Sequence, residues 1–343
     1  MSQATLSPGN PSDAPGARRQ GLGWLQGLLG VGSVYLFVFA LLILGRLISR
    51  EFWAADNLLQ VLKDMAILGI VAVGVAFISY SGNYVDLSIP AIMSCCGIVA
   101  VYVLPYGLLP AMLSALAAGV VLGWINGMMV GYLRLNPILW TLAALSVFDG
   151  TMRWAYGGKW VYVRQDTPAG SAFAALYRGS FLGVIPIAVG LFVLVALLGY
   201  VLMKHTGFGR QLKLTGASYS TARLTGINVR RTVMLAFVVS GVTSAVAGLL
   251  KTSFTMYGDV EIGLGYDFQA VTAVVLGGVT LAGGRGSMIG VIGGVLVIGL
   301  LGRILPLIPG IGQDQQFIIR GILFIVVVGL NMYSLRRSGR DDV

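Results

Sequence analysis

The sequence has few charged residues. Only 10% of its 343 residues are Asp, Glu, Lys or Arg, whereas 57% are hydrophobic. A soluble globular chain carries about 25% charged residues, so this chain lacks the polar surface needed to face water all round. If each membrane crossing takes roughly 20 apolar residues, ten crossings use about 200, which is close to the hydrophobic share. The composition excludes a soluble enzyme, a secreted disulfide scaffold and a disordered chain, and predicts a polytopic membrane protein.

Metal ligands and nucleotide-binding motifs are also scarce. His205 is the single histidine, and the two cysteines, Cys95 and Cys96, are adjacent within an apolar run, where they suit packing. This set argues against a transition-metal site, and no cofactor is expected. The chain has no G-x-x-x-x-G-K-[ST] phosphate loop. We therefore expect a non-catalytic chain whose energy comes from another subunit or from an ion gradient.

The apolar runs predict an all-α fold with about ten transmembrane helices, because lipid leaves open backbone groups unsatisfied and the runs are too long for barrel strands. The runs at 89–104 and 268–282 are short, so these helices are expected to be tilted or broken. The predicted spans are 31–48, 58–79, 89–104, 108–132, 138–155, 181–203, 231–256, 268–282, 288–305 and 315–335.

Basic residues predict the orientation. Between Lys204 and Arg231 there are six Lys or Arg and no acidic residue. With an even number of crossings, this loop and both termini lie on the cytoplasmic side. The net charge of +10 is then explained by cytoplasmic loops rather than by nucleic acid. In this ten-span topology, five basic residues lie on the extracytoplasmic side, against the rule: Arg46, Arg50, Lys159, Arg164 and Arg178.

These predictions divide the chain into three parts. Residues 1–22 are predicted to be a disordered cytoplasmic tail, since they are rich in Ser, Pro, Gly, Ala and Asn. Residues 23–335 form the membrane domain, which includes the cytoplasmic loop 204–230. Residues 336–343 form a second cytoplasmic tail.

The segment 81–90 (SGNYVDLSIP) places polar residues between two apolar spans. A carboxylate is costly in lipid, so Asp86 should face protein, water or the interface. One interpretation is a broken helix in which Asn83 and Asp86 line a translocation path or fix a gate. The other is that Asp86 merely caps the helix that follows.

The segment 136–160 carries a second polar set. Asn136-Pro137 is typical of a helix start, and Asp149 and Arg153 stand four apart, on one helix face. Such a pair can neutralise itself within the membrane, or it can line the path near the outer mouth. Asn136 is likewise predicted to lie on the translocation path or at a gate. The aromatic residues that follow predict either an interfacial belt or a surface for stacking on a sugar: Trp154, Tyr156, Trp160 and Tyr162.

The basic loop has one predicted element of its own. Ser218 to Leu224 can form a short helix that stops at Gly226, which suits a C-terminal cap. A short helix on the cytoplasmic face can dock a partner protein; alternatively, the loop is solvated and held by anionic lipid headgroups.

The segment 263–290 is rich in glycine. The pairs at 277–278 and 283–284 are predicted to let helices approach closely. Asp267 and Gln269 mark its outer end.

Four segments together resemble the ribose-type permeases of ABC importers, from about residue 58 to 330. They are SG…DLS at 81–88, NPILWTLAAL at 136–145, GFGRQLKLTGASYSTARLTGINVRR at 207–231 and GYDFQAVTAVVLGGVTLAGGRGS at 265–287. The resemblance implies a non-catalytic subunit of the bacterial inner (plasma) membrane, with a path for a monosaccharide or a similar polyhydroxy solute. The implied partners are a second permease copy or homologue, a cytoplasmic ATP-binding subunit, and a periplasmic or extracellular solute-binding protein.

The resemblance also assigns residues. Gly216, Ala222, Gly226 and Ile227 match the family's ATPase-coupling segment, in which Ser218 and Thr221 replace the common Asn and Ala. The glycine-rich signature is matched by Gly277, Gly278, Leu281, Gly283, Gly284 and Gly286.

Two departures concern the predicted path. One extra residue precedes Asp86, and the family's acidic pair is present here as Asp267 and Gln269. The path is expected to follow a dimer axis bordered by 58–79, 138–155 and 268–282.

Two rival functions remain at this point. A permease for branched-chain amino acids or nucleosides would share this layout. An ion-coupled secondary transporter belongs to another class, and the sequence lacks the dense set of intramembrane carboxylates that would carry protons.

Overall fold

The structure, a computed structural model, describes residues 17–181, 183 and 185–337. Within this range the chain is mostly helical. The helices are α1 (Ala17–Ile48), α2 (Ala55–Tyr80), α3 (Ile89–Val103), α4 (Leu108–Gly127), α5 (Pro137–Tyr156), α6 (Pro168–Arg178), α7 (Ile187–His205), α8 (Gly207–Ala217), α9 (Tyr219–Leu224), α10 (Val229–Thr255), α11 (Tyr266–Leu276), α12 (Met288–Ile304) and α13 (Gln313–Arg337). Short strands form two antiparallel pairs, β1 (Val161–Tyr162) with β4 (Tyr257–Gly258) and β2 (Ser180–Phe181) with β3 (Ile185–Pro186).

Six helices in the described part of the chain are long and apolar enough to cross a membrane: Ala55–Tyr80, Ile89–Tyr106, Leu108–Tyr132, Ile187–His205, Val229–Thr255 and Met288–Leu307. The apolar parts of α1 and α11 are shorter. Helices α5 and α13 have the length but more polar residues, among them Asp149, Arg153 and Arg320. These elements confirm an all-α polytopic membrane protein.

Three predicted boundaries differ from the structure. The span predicted at 181–203 begins at Ile187, because residues 180–186 form the β2–β3 hairpin. The span predicted at 268–282 ends at Leu276, where Gly277 and Gly278 begin a turn. Residues 17–22 of the predicted tail are the first turns of α1. The rest of that tail, residues 1–16, and residues 338–343 lie outside the described residues.

Helices α2 and α10 pack antiparallel at the centre. Ile78 clusters with Val233 and Phe237, and Gly74 lies against Ser240 one turn further on. All residues of α2 from 65 to 80 are buried within this chain. Neighbouring helices of this chain therefore cover this part of α2. The expectation that 58–79 borders a path at a dimer axis stays a prediction.

The helices around this centre form two matching halves. In the first, the short helix α3 packs against α4, α5 and α10; in the second, the short helix α11 packs against α12, α13 and α2. Since α2 and α10 run in opposite directions, the series α2–α5 and α10–α13 form an inverted repeat. Helices α5 and α13 occupy equivalent places on its flanks.

A row of glycines fixes α4 against α10. They are spaced four apart, on one face of α4 and its π-helical extension at Met128–Tyr132: Gly119, Gly123, Gly127 and Gly131. A Cβ atom on Gly123 would lie 2.5 Å from the carbonyl oxygen of Phe237. The two backbones therefore touch directly.

Candidate functional site

The basic segment folds into two helices, α8 and α9, although the sequence predicted only the second. The side chain of Ser218 accepts a hydrogen bond from the backbone N–H of Thr221 at 3.3 Å and so caps α9. Ala222 is 1% exposed and packs in a cluster with Ile78 and Val233. On the opposite face Leu224 is 88% exposed. Helix α9 is thus a short protruding helix anchored by one small side chain.

The end of α9 is fixed by its backbone. The N–H of Ile227 donates to the carbonyl of Ala222 at 3.1 Å, and Gly226 has a φ of +81°. This is the left-handed conformation that favours glycine after a helix. Ile227 is half-buried beside the Ala222 cluster.

Four glycines bring helix α8 into contact with the turn after α2 and with the loop after α11. They are Gly82, Gly216, Gly283 and Gly284, and we name them the glycine junction. The N–H of Gly284 donates to the carbonyl of Tyr80 at 3.1 Å, at the end of α2. A Cβ on Gly283 would lie 2.7 Å from the Cα of Gly82 and 2.8 Å from the Cα of Gly216. The end of α8, the end of α2 and the loop after α11 therefore meet in direct backbone contact.

The predicted glycine pairs have different roles. Gly277 lies against Gly290 of α12, where a Cβ would be 2.5 Å from the backbone. Gly278 has open space around it and a φ of +81°, so it serves the turn rather than helix packing. Gly283 and Gly284 also have positive φ; both contact the last residues of α8, and Gly283 also contacts the turn after α2.

Asp86 lies at the centre of a buried hydrogen-bond network. Its Oδ1 accepts from the N–H of Ser88 at 2.9 Å and from the hydroxyl of Ser88 at 2.6 Å. Asn126 of α4 donates to that hydroxyl at 2.7 Å, and Trp140 of α5 donates to Asn126 at 3.0 Å. The break between α2 and α3 is thereby tied to α4 and α5.

The network bears on both interpretations of the 81–90 segment. Ser88, not Asp86, precedes α3, and its side chain makes no cap. Asp86 instead stabilises the turn before the helix and is completely buried. Its Oδ2 has no hydrogen-bond partner among the described residues. Asn83 bonds locally, to the hydroxyl of Ser81 at 2.7 Å.

Asn136 and Asp149 make local contacts on α5. The Oδ1 of Asn136 accepts from the N–H of Ile138 at 3.0 Å and caps the helix. Asp149 pairs with Arg153 at 2.9 Å, as their spacing predicts. The rest of α5 is largely uncovered: Leu139 is 69% exposed and Val147 60%.

Asp267 and Gln269 point to different places. Asp267 is buried and lies within electrostatic range of Asp86. Gln269 is half-buried and lines a separate cavity. The six residues predicted for the path or gate therefore do not form one site.

That cavity is a polar site that the sequence reasoning missed. It has a volume of about 170 Å³ and lies between α2, α11, α12 and α13, at the end of α2 opposite the glycine junction. We name it the polar cavity; its polar lining consists of Asp64, Tyr266, Gln269, Arg303 and Arg320. An ionisable residue inside an apolar span indicates a functional site. Asp64, Arg303 and Arg320 are such residues, so the sequence could have indicated this site.

Trp160 and Tyr162, which follow α5, pack against each other and against Tyr257 of β4. The ring of Trp160 stacks on Tyr257 with centroids 5.0 Å apart, and Tyr162 lies 6.3 Å from Trp160. The β1–β4 pair brings them together. Trp154, by contrast, is 87% exposed.

Comparisons with known proteins agree with this architecture. Residues 57–328 match the family described as the branched-chain amino acid transport system / permease component. The ribose import permease protein of Bacillus subtilis (strain 168) is 33% identical over 309 residues, covering 87% of this chain and 91% of that protein. The L-arabinose transport system permease protein of Escherichia coli (strain K12) is 30% identical over 304 residues, covering 87% and 90%.

No solved structure matches the chain. The family match covers most of the sequence, including the basic segment, the glycine junction, all of α3 to α12 and all but the first two residues of α2. The chain therefore belongs to this family of ABC-transporter permeases, which includes ribose and L-arabinose permeases.

Proposed function

We propose that this chain is the membrane-spanning permease subunit of an ABC importer and forms the path for a monosaccharide or a similar small polyhydroxy solute. ATP hydrolysis takes place in a separate subunit. The relatives named above, which carry ribose and L-arabinose in their names, support the solute class. The observation that carries the mechanism is the glycine junction, through which a protruding helix reaches the membrane core.

The proposed topology has ten crossings in the bacterial inner membrane, with both termini and the 204–230 loop in the cytoplasm. The basic charge of that loop supports this orientation. The loop after α11 and the end of α2 then also lie on the cytoplasmic side, because the glycine junction joins them to α8.

Coupling follows from the way α9 is held. Its exposed face, with Tyr219, Arg223 and Leu224, offers the ATP-binding subunit a rigid surface. Movement of α8 and α9 displaces the glycine junction directly, since no flexible side chain intervenes. Closure of the ATPase is thereby passed to α2 and the loop after α11 as rigid-body motion.

The proposed path lies along α5 and α13, at the axis of a dimer with a second copy or a homologue. Both helices have uncovered faces and charged residues that are costly in lipid. The Asp86 network links the glycine junction region to α5 through Trp140. We assign Asp86 a positioning role in this linkage.

The solute-binding protein docks at the opposite end. The loop before α6 exposes charge there: Arg164 pairs with Asp166 at 2.9 Å. The hydrogen bond and the charge of Arg164 lower the pKa of Asp166, so this carboxylate stays ionised. Lipid covers apolar helices such as α7, whose long side chains are exposed.

Disulfide cross-linking tests the proposal. A Leu224→Cys variant should cross-link to a cysteine on the ATP-binding subunit in inside-out vesicles. The matched control is Tyr106→Cys, which is 82% exposed at the opposite end and should not cross-link. Labelling of Leu224→Cys from the periplasm by a membrane-impermeant reagent would contradict the assignment.

A permease for branched-chain amino acids is a second candidate, because the matching family carries that description. A nucleoside permease would have the same helix arrangement. Thermal-shift screening of the cognate binding protein discriminates between these solutes and sugars. Uptake that survives loss of the ATPase and collapses with the ion gradient would instead indicate a secondary transporter.

A further inference from the structure

The polar cavity holds more positive than negative charge. Besides Arg303 and Arg320, Lys251 of α10 lies 5.8 Å from the ring centre of Tyr266, at the cavity wall. Asp64 is the one acidic residue in the cavity lining. Two arginines therefore share the cavity lining with a single carboxylate, and a lysine lies beside one wall residue.

The carboxylate does not neutralise these cations by direct pairing. The Oδ1 of Asp64 accepts from Gln60 at 2.9 Å and from the hydroxyl of Tyr177 at 2.9 Å, both neutral donors. Within the described residues, no ion pair of 4.0 Å or less involves Lys251, Arg303 or Arg320. An unpaired cation inside a membrane protein is costly, and a bound anion would offset that cost.

Hydrogen-bonding groups around the cavity are also unused. Arg303 donates one bond through Nε, to Asn57 at 3.1 Å. The guanidinium of Arg320 lies over the backbone of α12, near Gly302, and forms no hydrogen bond with any residue that the structure describes. The same holds for the amide of Gln269, which can both donate and accept.

We propose that the polar cavity is a weak binding subsite for a monosaccharide that carries a carboxylate, as in an aldonic or a uronic acid. Arg320 and Arg303 bind the carboxylate, since a guanidinium matches its geometry. Gln269 and the free Oδ2 of Asp64 bind hydroxyl groups. The assignment rests on the proposed function and specifies its solute as a sugar acid.

The volume of the polar cavity limits the size of the solute. An engineered cavity of about 150 Å³ binds one benzene molecule, so a cavity of about 170 Å³ has room for a single six-membered ring but not for two.

Saturation-transfer NMR on the purified permease in detergent tests the subsite directly, because the method detects weak binding. The probes are sodium D-glucuronate, D-glucose and inorganic phosphate at equal ionic strength. We expect saturation transfer to glucuronate and at least tenfold less to glucose. Equal signals from both sugars would overturn the proposal, as would complete displacement of glucuronate by phosphate at an equal concentration.

Variants identify the site. Arg320→Gln should weaken glucuronate binding at least tenfold, and Arg320→Lys should restore part of it because the positive charge is kept. Arg178→Gln, which removes an exposed arginine at the end of α6, should leave binding unchanged. Arg303→Gln gives an independent test if Arg320→Gln fails to fold. Unchanged binding in a folded Arg320→Gln protein would overturn the assignment.

Transport by the complete importer separates this inference from the proposed function. ATP-dependent uptake of glucose with no glucuronate binding contradicts the sugar-acid subsite alone. Uptake without any ATP requirement contradicts the proposed function, whatever the cavity binds.

Discussion

At the scale of single residues, Gly216 and Gly207 form a natural pair for testing the glycine junction. Both lie in α8, but a Cβ on Gly216 would collide with the carbonyl of Tyr80, whereas Gly207 has open space. We expect Gly216→Ala to destabilise the protein by about 1–3 kcal/mol through overpacking. It should also reduce the ATP hydrolysis that loaded binding protein stimulates in the assembled complex.

Gly207→Ala is the control for that substitution. Alanine costs less backbone entropy than glycine, so this variant should be neutral or more stable by about 0.5–1 kcal/mol. Thermal unfolding in detergent and ATPase assays measure both effects. Equal unfolding temperatures and equal stimulated ATPase activities in the two variants would contradict a role of the glycine junction in coupling.

Asp86 gives a second residue-scale prediction. Its Oδ1 makes both bonds to Ser88, and Asn retains an equivalent oxygen. We therefore expect Asp86→Asn to fold and transport close to normally, while Asp86→Ala loses about 1–3 kcal/mol because the buried partners lose their acceptor. Unfolding midpoints and uptake rates measure this. Loss of uptake in a well-folded Asp86→Asn protein would instead indicate that the negative charge of Asp86 is needed for gating.

Residue roles were predictable where the partners are close in sequence. The cap at Asn136 and the Asp149–Arg153 pair follow from spacings of two to four residues. The glycine junction joins residues 82, 216 and 283, and the Asp86 network reaches Asn126 and Trp140. Such contacts depend on helix packing, which no local pattern reveals.

At the scale of elements, α9 depends on Ala222. A phenylalanine there cannot fit beside Ile78 and Val233, so Ala222→Phe should detach the helix while membrane insertion remains intact. Hydrogen exchange of residues 219–224 should rise, and transport should fall. Leu224→Phe introduces the same side chain at an exposed position and should leave the exchange unchanged. Slow exchange in Ala222→Phe would contradict this anchoring.

Elements were predictable to different degrees. Long apolar runs such as 58–79 and 231–256 correspond to α2 and α10 within a few residues. Helices α6 and α8 were missed because each is short, with 11 residues, and has only one apolar face. Helix α11 was predicted too long, since hydropathy does not register the positive φ at Gly278 that ends it.

At the scale of the whole molecule, the inverted repeat places α5 and α13 where a second subunit can cover them. Val147→Cys on α5 should form a disulfide across the proposed dimer axis, either with a second copy or with a matched cysteine on a homologue. Leu197→Cys on α7 is 57% exposed but is expected to face lipid, so it should not cross-link. The two native cysteines are buried and do not interfere. Cross-linking through Leu197→Cys alone would place the dimer elsewhere.

The two-fold relation between the halves was not predictable from this sequence alone. The repeats share an arrangement of long, short and flanking helices rather than an obvious residue pattern, and they run in opposite directions. Overall fold class, in contrast, follows from composition, because so few charged residues cannot cover a soluble surface of this size.

The central claim is that this chain is a passive gate driven through α8 and α9 by a separate ATPase. Uptake of labelled sugar into proteoliposomes tests it most directly, with the permease alone compared with the permease plus its ATP-binding subunit and loaded binding protein. We expect accumulation of the labelled sugar only in the complete system and only with ATP. Concentrative uptake by the permease alone would contradict it.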